Sequence, residues 1–111
     1  MEEQKLEVIK GLFEDRDWQE IEGYAEGTKA KMLRDDGYAK TMLLKLPKGF
    51  RADRHTHSTV EQFIVLKGEY ASDDAAYPEG SYVMFDANEE HGPFEAKEET
   101  LILVIRDSKT Y

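Results

Sequence analysis

From Thr28 onward the sequence keeps one rhythm, a short run of apolar and β-branched residues followed by a glycine, proline or aspartate turn. Residues 28–33 close at Arg34-Asp35-Asp36-Gly37, and residues 38–46 close at Pro47-Lys48-Gly49. Residues 55–57 and 61–66 come next, closed by Lys67-Gly68, and 69–71 ends at Ser72-Asp73-Asp74. Residues 81–85 follow the turn Pro78-Glu79-Gly80, and 91–94 and 101–106 complete the set. Short strands at such spacing predict an all-β sandwich or barrel. With 111 residues there is no room for a second full core, so 18–111 is expected to be a single domain.

The first residues follow a different pattern. Leu6, Ile9 and Phe13 fall at helical spacing, while Lys5-Leu6-Glu7-Val8 alternates like a strand. Residues 1–17 are therefore read as an N-terminal segment that is either a short helix or a swapped strand, an arm on a dimer. Gly11 and the Glu-Asp-Arg-Asp run at 14–17 read as a turn, with Trp18 and Ile21 as anchors to the core.

Charge excludes several partners. The 24 acidic residues outnumber the 15 basic ones, for a formal net charge of −9. That balance argues against a phosphate-tracking nucleic-acid binder and against docking on anionic membranes. No cysteine is present, which removes disulfides and thiolate metal sites. Charged residues interrupt every apolar run near Met1, so no signal peptide is expected and a cytoplasmic location fits best.

There are three histidines, and their spacing carries chemistry. His55 and His57 are one residue apart, which on a strand points both imidazoles to one face. Glu61 keeps the same parity, and His91 reaches the same point if the sheet curls back. Three imidazole nitrogens and a carboxylate oxygen suit Zn, Fe, Ni, Mn or Cu. His55, His57, Glu61 and His91 are thus the expected ligands of one divalent metal ion per chain.

These residues resemble a known family. Gly49, five residues, His55-x-His57, three residues, Glu61, six residues and Gly68 match the first motif of the cupins without a gap. The second motif is matched in part by Gly80, Asp86-Ala87-Asn88 and His91, with Asp86, Asn88 and Glu95 where a cupin usually has Pro, Gly and Asn. Asn tolerates positive φ, so Asn88 can stand for the turn glycine, whereas the missing proline is expected to loosen the approach to His91. The stretches 55–57, 61–70, 77–83 and 90–94 are similar to ChrR-like cupins and to acetylacetone-cleaving dioxygenases.

That resemblance implies a small jelly-roll barrel, a double-stranded β-helix, that pairs as a homodimer. It implies a metal-binding module that acts either as a small-molecule dioxygenase of the β-diketone-cleaving type or as a sensor of metal or ligand. In acetylacetone dioxygenases the glutamate is thought not to bind, so the resemblance leaves open whether Glu61 ligates. A full ChrR-type anti-sigma factor also carries a separate helical zinc domain, for which this chain is expected to be too short and too poor in cysteine.

Phe63 and Val65 share parity with Glu61, and Phe85 and Phe94 flank His91, so these four are the pocket candidates for a small-molecule ligand. Plain core packing is the more frequent role for each of them. Tyr70, Tyr77 and Tyr82 are candidates for a phenol near the metal or for edge packing. Arg51, Arg54 and Lys45 read as ordinary solvated charge.

Overall fold

The computed structural model describes residues 8–107. Its strands are β1 (Gln19–Glu20), β2 (Lys29–Asp35), β3 (Ala39–Leu46), β4 (Phe50–Ala52), β5 (Glu61–Lys67), β6 (Glu69–Ser72), β7 (Ala76–Pro78), β8 (Tyr82–Phe85), β9 (Phe94–Ala96) and β10 (Thr100–Asp107). They form a six-stranded sheet, β1-β2-β3-β10-β5-β8, and a four-stranded sheet, β4-β9-β6-β7. Every pairing is antiparallel. The expected all-β jelly roll is therefore present, as two facing sheets. Among the described residues there is no helix, and so none that is long and apolar enough to cross a membrane.

The core lies between the sheets. Met42, Leu44 and Leu46 of β3, Phe63 and Val65 of β5, and Ile102 and Val104 of β10 meet Phe50, Tyr70, Phe94 and Ala96 of the opposite sheet. Alternation along β5 buries Glu61, Phe63 and Val65 and leaves the residues between them partly exposed. Strand β10 is central and pairs with both β3 and β5, so that Val104 stands opposite Met42 and Phe63. In the same register Arg106 stands opposite Glu61. This cross-strand position puts a guanidinium and a carboxylate on one face of the sheet.

Several expected elements differ. Residues 8–17 are turns and bends, because Gly11 at φ 72° and Asp17 at φ 62° break any helical period. The rest of the segment 1–17 expected to be a short helix or swapped strand, residues 1–7, lies outside the described residues. His55–His57 is not a strand: His55 makes an isolated bridge to His91, and the chain bends at 58–59. The parity argument linking His57 to Glu61 therefore fails, and it is β5 that aims Glu61 inward. The expected run 91–94 is divided by Gly92, at φ 93°, and by Pro93, which has no N–H to give to a ladder. Strands β1, β4 and β7 were not expected, being two or three residues long and too short to show alternation.

Two turns show why particular residues stand where they do. Gly68, at φ 85°, joins β5 to β6 against the buried Thr100. A Cβ there would lie 2.7 Å from Thr100 Oγ1 and 2.8 Å from the Glu99 carbonyl oxygen. Gly68→Ala is expected to cost roughly 2–4 kcal/mol from backbone strain and overpacking. A fall in the urea midpoint at unchanged slope would show it, and an unchanged midpoint would refute it.

In the β2–β3 turn, Asp36 accepts hydrogen bonds from Arg34 Nε at 2.6 Å and from the backbone N–H groups of Tyr38 and Ala39. The Arg34 bond first, then the two N–H groups, lower its pKa from 3.8 to about 2. Because the folded value is depressed, the stabilisation is present above pH 3.8 and is lost as pH falls toward about 2. An NMR titration of the Asp36 carboxyl is expected to show that low midpoint, and Arg34→Ala should raise it.

Candidate metal centre

The four residues singled out by spacing converge. One donor atom from each of His55, His57, Glu61 and His91 lies within 4.8 Å of all the others. Two paired backbone hydrogen bonds, His55 N to His91 O and His91 N to His55 O, both 2.9 Å, hold two of the imidazoles side by side. Their ring centroids are 4.4 Å apart, and the His57 ring lies 4.8 Å from His55 and 5.3 Å from His91.

Two backbone carbonyls decide which nitrogen faces the centre. His55 Nδ1 lies 2.7 Å from the Asp53 oxygen, and His91 Nδ1 lies 3.0 Å from the Glu89 oxygen. A carbonyl can only accept, so each Nδ1 carries the proton and each neutral ring offers the Nε2 lone pair. His91 is further fixed by Phe85, whose ring stacks on it at 4.3 Å and 12°.

The turn before His91 is fastened without proline. Asn88 takes φ 64°, as a residue standing for glycine should, and its N–H donates to the His57 oxygen at 2.7 Å. The expected loosening at Asp86 is offset, because its N–H, which a proline would lack, donates to the Glu89 carboxylate at 3.0 Å.

The centre contains unfilled polar capacity. His57 Nε2 and His91 Nε2 are buried and make no hydrogen bond. They face the two oxygens of Glu61 at 3.7 Å and 3.3 Å without forming hydrogen bonds. Buried nitrogens in that state are costly unless a further group takes their lone pairs. A cation between them and the carboxylate answers that need, so the donor set fits a divalent metal. Burial, then the Arg106 charge, lowers the pKa of His57, which favours the neutral ring that ligates.

Sequence reasoning missed two residues. Arg106 Nε donates to Glu61 Oε1 at 2.8 Å, and its Nη2 donates to the Tyr24 hydroxyl at 2.9 Å. Burial opposes the Arg106 charge, but Tyr24 and Glu61 together hold its pKa above the ordinary value. Burial also raises the pKa of Tyr24, so its phenol stays protonated. The signal for Arg106 was its parity with the inward-facing Ile102 and Val104. Tyr24, in a loop, had none.

The pocket candidates separate. Phe63 and Phe94 line an interior cavity of about 40 Å³ with Tyr24, His55, Glu61 and Arg106. Val65 is fully buried farther along β5 and does not line it, and Phe85 serves His91 instead. Tyr70 lines the cavity and stacks on Phe94 at 4.8 Å, Tyr77 packs edge-on against Phe63, and Tyr82 is exposed. Arg51 and Arg54 border a surface cleft that reaches His55 and His57, whereas Lys45 lies over Trp18, outside that cleft.

The Glu61–Arg106 pair gives a metal-independent expectation. Arg106→Met leaves a buried carboxylate uncompensated, a loss of about 3–5 kcal/mol for fully buried pairs. The Arg106 side chain is 23% exposed, so roughly 2–3 kcal/mol is expected in metal-free protein. Denaturant unfolding in chelator measures it, and a loss under about 1 kcal/mol would mean that water already screens the pair.

The family model of the ChrR cupin-like domain matches residues 7–110. No sequence among curated proteins matches the chain. An acetylacetone dioxygenase from Acinetobacter johnsonii superposes with a TM-score of 0.80 at 15% identity, covering 96% of this chain and 77% of that one. KdgF from Halomonas sp. gives 0.72 at 16%, covering 85% and 87%. At those identities the likeness is one of fold. A chain of the Rhodobacter sphaeroides complex of SigE with the anti-sigma ChrR gives 0.68 at 26%, covering 84% of this chain and 49% of that one. This chain thus spans about half of that relative.

Proposed function

We propose that this chain, which belongs to the ChrR cupin-like family, holds one divalent metal ion through His55, His57, His91 and Glu61 and acts with it on a small molecule, as a dioxygenase of the β-diketone-cleaving type. The observation that supports this reading most is the pair of buried, unpartnered Nε2 atoms converging on a buried carboxylate. Zn, Fe, Ni and Mn all suit three imidazoles and a carboxylate. When bound, such an ion supplies Lewis acidity and, if it is iron, a centre for dioxygen chemistry.

The protein's own groups do the rest. Asp53 and Glu89 carbonyls orient the His55 and His91 rings, and Arg106 engages one oxygen of Glu61 while leaving the other toward His91. The apolar walls of the cavity, among them Phe50, Phe63 and Phe94, keep water from the inner side of His55 and Glu61. Access comes from the cleft of about 550 Å³ bordered by His55, His57 and Arg106.

A sensory role is the second reading, supported by the 26% identity to a chain of the SigE–ChrR complex. It would use the same ligands without turnover, metal or ligand binding changing the affinity for a protein partner.

Elemental analysis after metal loading tests the ligand set. His55→Ala and His91→Ala are each expected to weaken metal binding at least 100-fold while the β-rich circular dichroism persists, since losing a ligand exceeds the roughly 10–100-fold effect of losing its supporting partner. Unchanged metal content would exclude the assignment. Oxygen uptake by iron-loaded protein over a panel of β-diketones and oxo acids then separates the readings. Uptake with product formation supports the dioxygenase, and metal binding without any uptake excludes it.

A further inference from the structure

Arg106 has more donors than its two partners use. A guanidinium carries five N–H groups. One serves Glu61 and one serves Tyr24, which leaves both on Nη1 and one on Nη2 without a protein acceptor among the described residues. These groups sit at a junction. Arg106 borders the interior cavity of about 40 Å³, the cleft of about 550 Å³ and a second cleft of about 220 Å³ beside Lys40 and His57. The cavity and the larger cleft share Tyr24, Phe50, Ala52, His55 and Arg106, so these residues form the passage between outside and inside.

Charge and size restrict what can use that passage. Glu61 and Arg106 cancel one another, so a divalent ion would leave two positive charges in a largely buried place. An incoming anion relieves that surplus, and a neutral molecule does not. Lys40 and Arg51 at the cleft rims add attraction, although Glu22 and Asp53 also border the larger cleft and confine it to the neighbourhood of Arg106. A cavity of about 40 Å³ admits a few water-sized groups at most. Beyond Tyr24, His55, Glu61 and Arg106 its walls are aliphatic and aromatic, Phe50, Phe63 and Phe94 among them.

We propose that Arg106 is the recognition point for a small carboxylate with a short apolar tail. The carboxylate lies on the free N–H groups of the guanidinium, and the tail enters the cavity beside Phe63 and Phe94. The inference rests on the metal reading for its charge balance, while the free donors and their position at the passage belong to the protein alone.

Propionate and its neutral isostere propionamide are the probes. Metal-free protein is titrated with each while the Arg106 Nε–H signal is followed by ¹⁵N NMR, and calorimetry repeats the titrations on Co(II)-loaded protein. Propionate is expected to shift the Arg106 signal saturably and to bind about tenfold more tightly than propionamide, as a charge-assisted pair should. Arg106→Lys keeps the charge but not the fork, and is expected to weaken propionate about tenfold while leaving propionamide unchanged. Equal affinities for the two probes, an Arg106 signal that never moves, or undiminished propionate binding by Arg106→Lys would each overturn the proposal. Should the variant not fold, the wild-type titrations decide. Failure to take up Co(II) with a normal Arg106 response would remove the metal reading and leave this one standing.

Discussion

The contact between Glu61 and Arg106 governs the arrangement around it. A carboxylate 7% exposed at the inner face of a sheet is tolerable only with a fixed positive partner. Strand β10 supplies that partner through register, Arg106 standing opposite Glu61 as Val104 stands opposite Phe63. A slip of β10 by one residue would turn Arg106 and Val104 to the outer face, away from Glu61 and Phe63. Ion pair and core thus specify the same register, and the placement of Glu61 between two imidazoles depends on it. The Tyr24 hydroxyl, bonded to Nη2, ties the loop after β1 to the same point.

The part of the site that local sequence could reveal was the part written as spacing. The His-x-His pair, Glu61 and Gly68 stand at fixed offsets, and the alternation of β5 and β10 is long enough to read from side-chain polarity alone. Asn88 was legible for the same local reason, since few residues besides glycine adopt its φ of 64°. Arg106 and Tyr24 were not, because a contact across 45 or 82 positions exists only once strand pairing is known. The parity of Arg106 with Ile102 and Val104 pointed inward, but a charge at the end of a strand is ordinarily solvated. The strand expected at 55–57 failed differently: two backbone bonds to His91 do what a ladder would have done, with no strand on either side.

Total charge and site charge tell different stories. The formal −9 is a property of the chain as a whole. Around His57 the balance is local, with Arg106, Lys40 and Arg51 near the passage and much of the acidic excess elsewhere in the chain. Within a Debye length of about 8 Å, the nearest charges count for more than the sum. An acidic chain can therefore present a cationic point to a small ligand.

Two of the three imidazoles, His55 and His91, are oriented by backbone carbonyls. Asp53 and Glu89 carbonyls hold His55 and His91 from behind, the His55–His91 bridge sets their separation, and Phe85 supports the His91 ring face. None of these contacts requires an ion. The cost of gathering three bases and an acid is met by the packing around them, where Phe94 lies against His55 and His91 and in turn against Tyr70 and Phe63. The supports of the centre are thus backbone bonds and ring packing that the fold itself supplies, and the Nε2 atoms of His57 and His91 are the part of it left without a hydrogen-bond partner among the described residues.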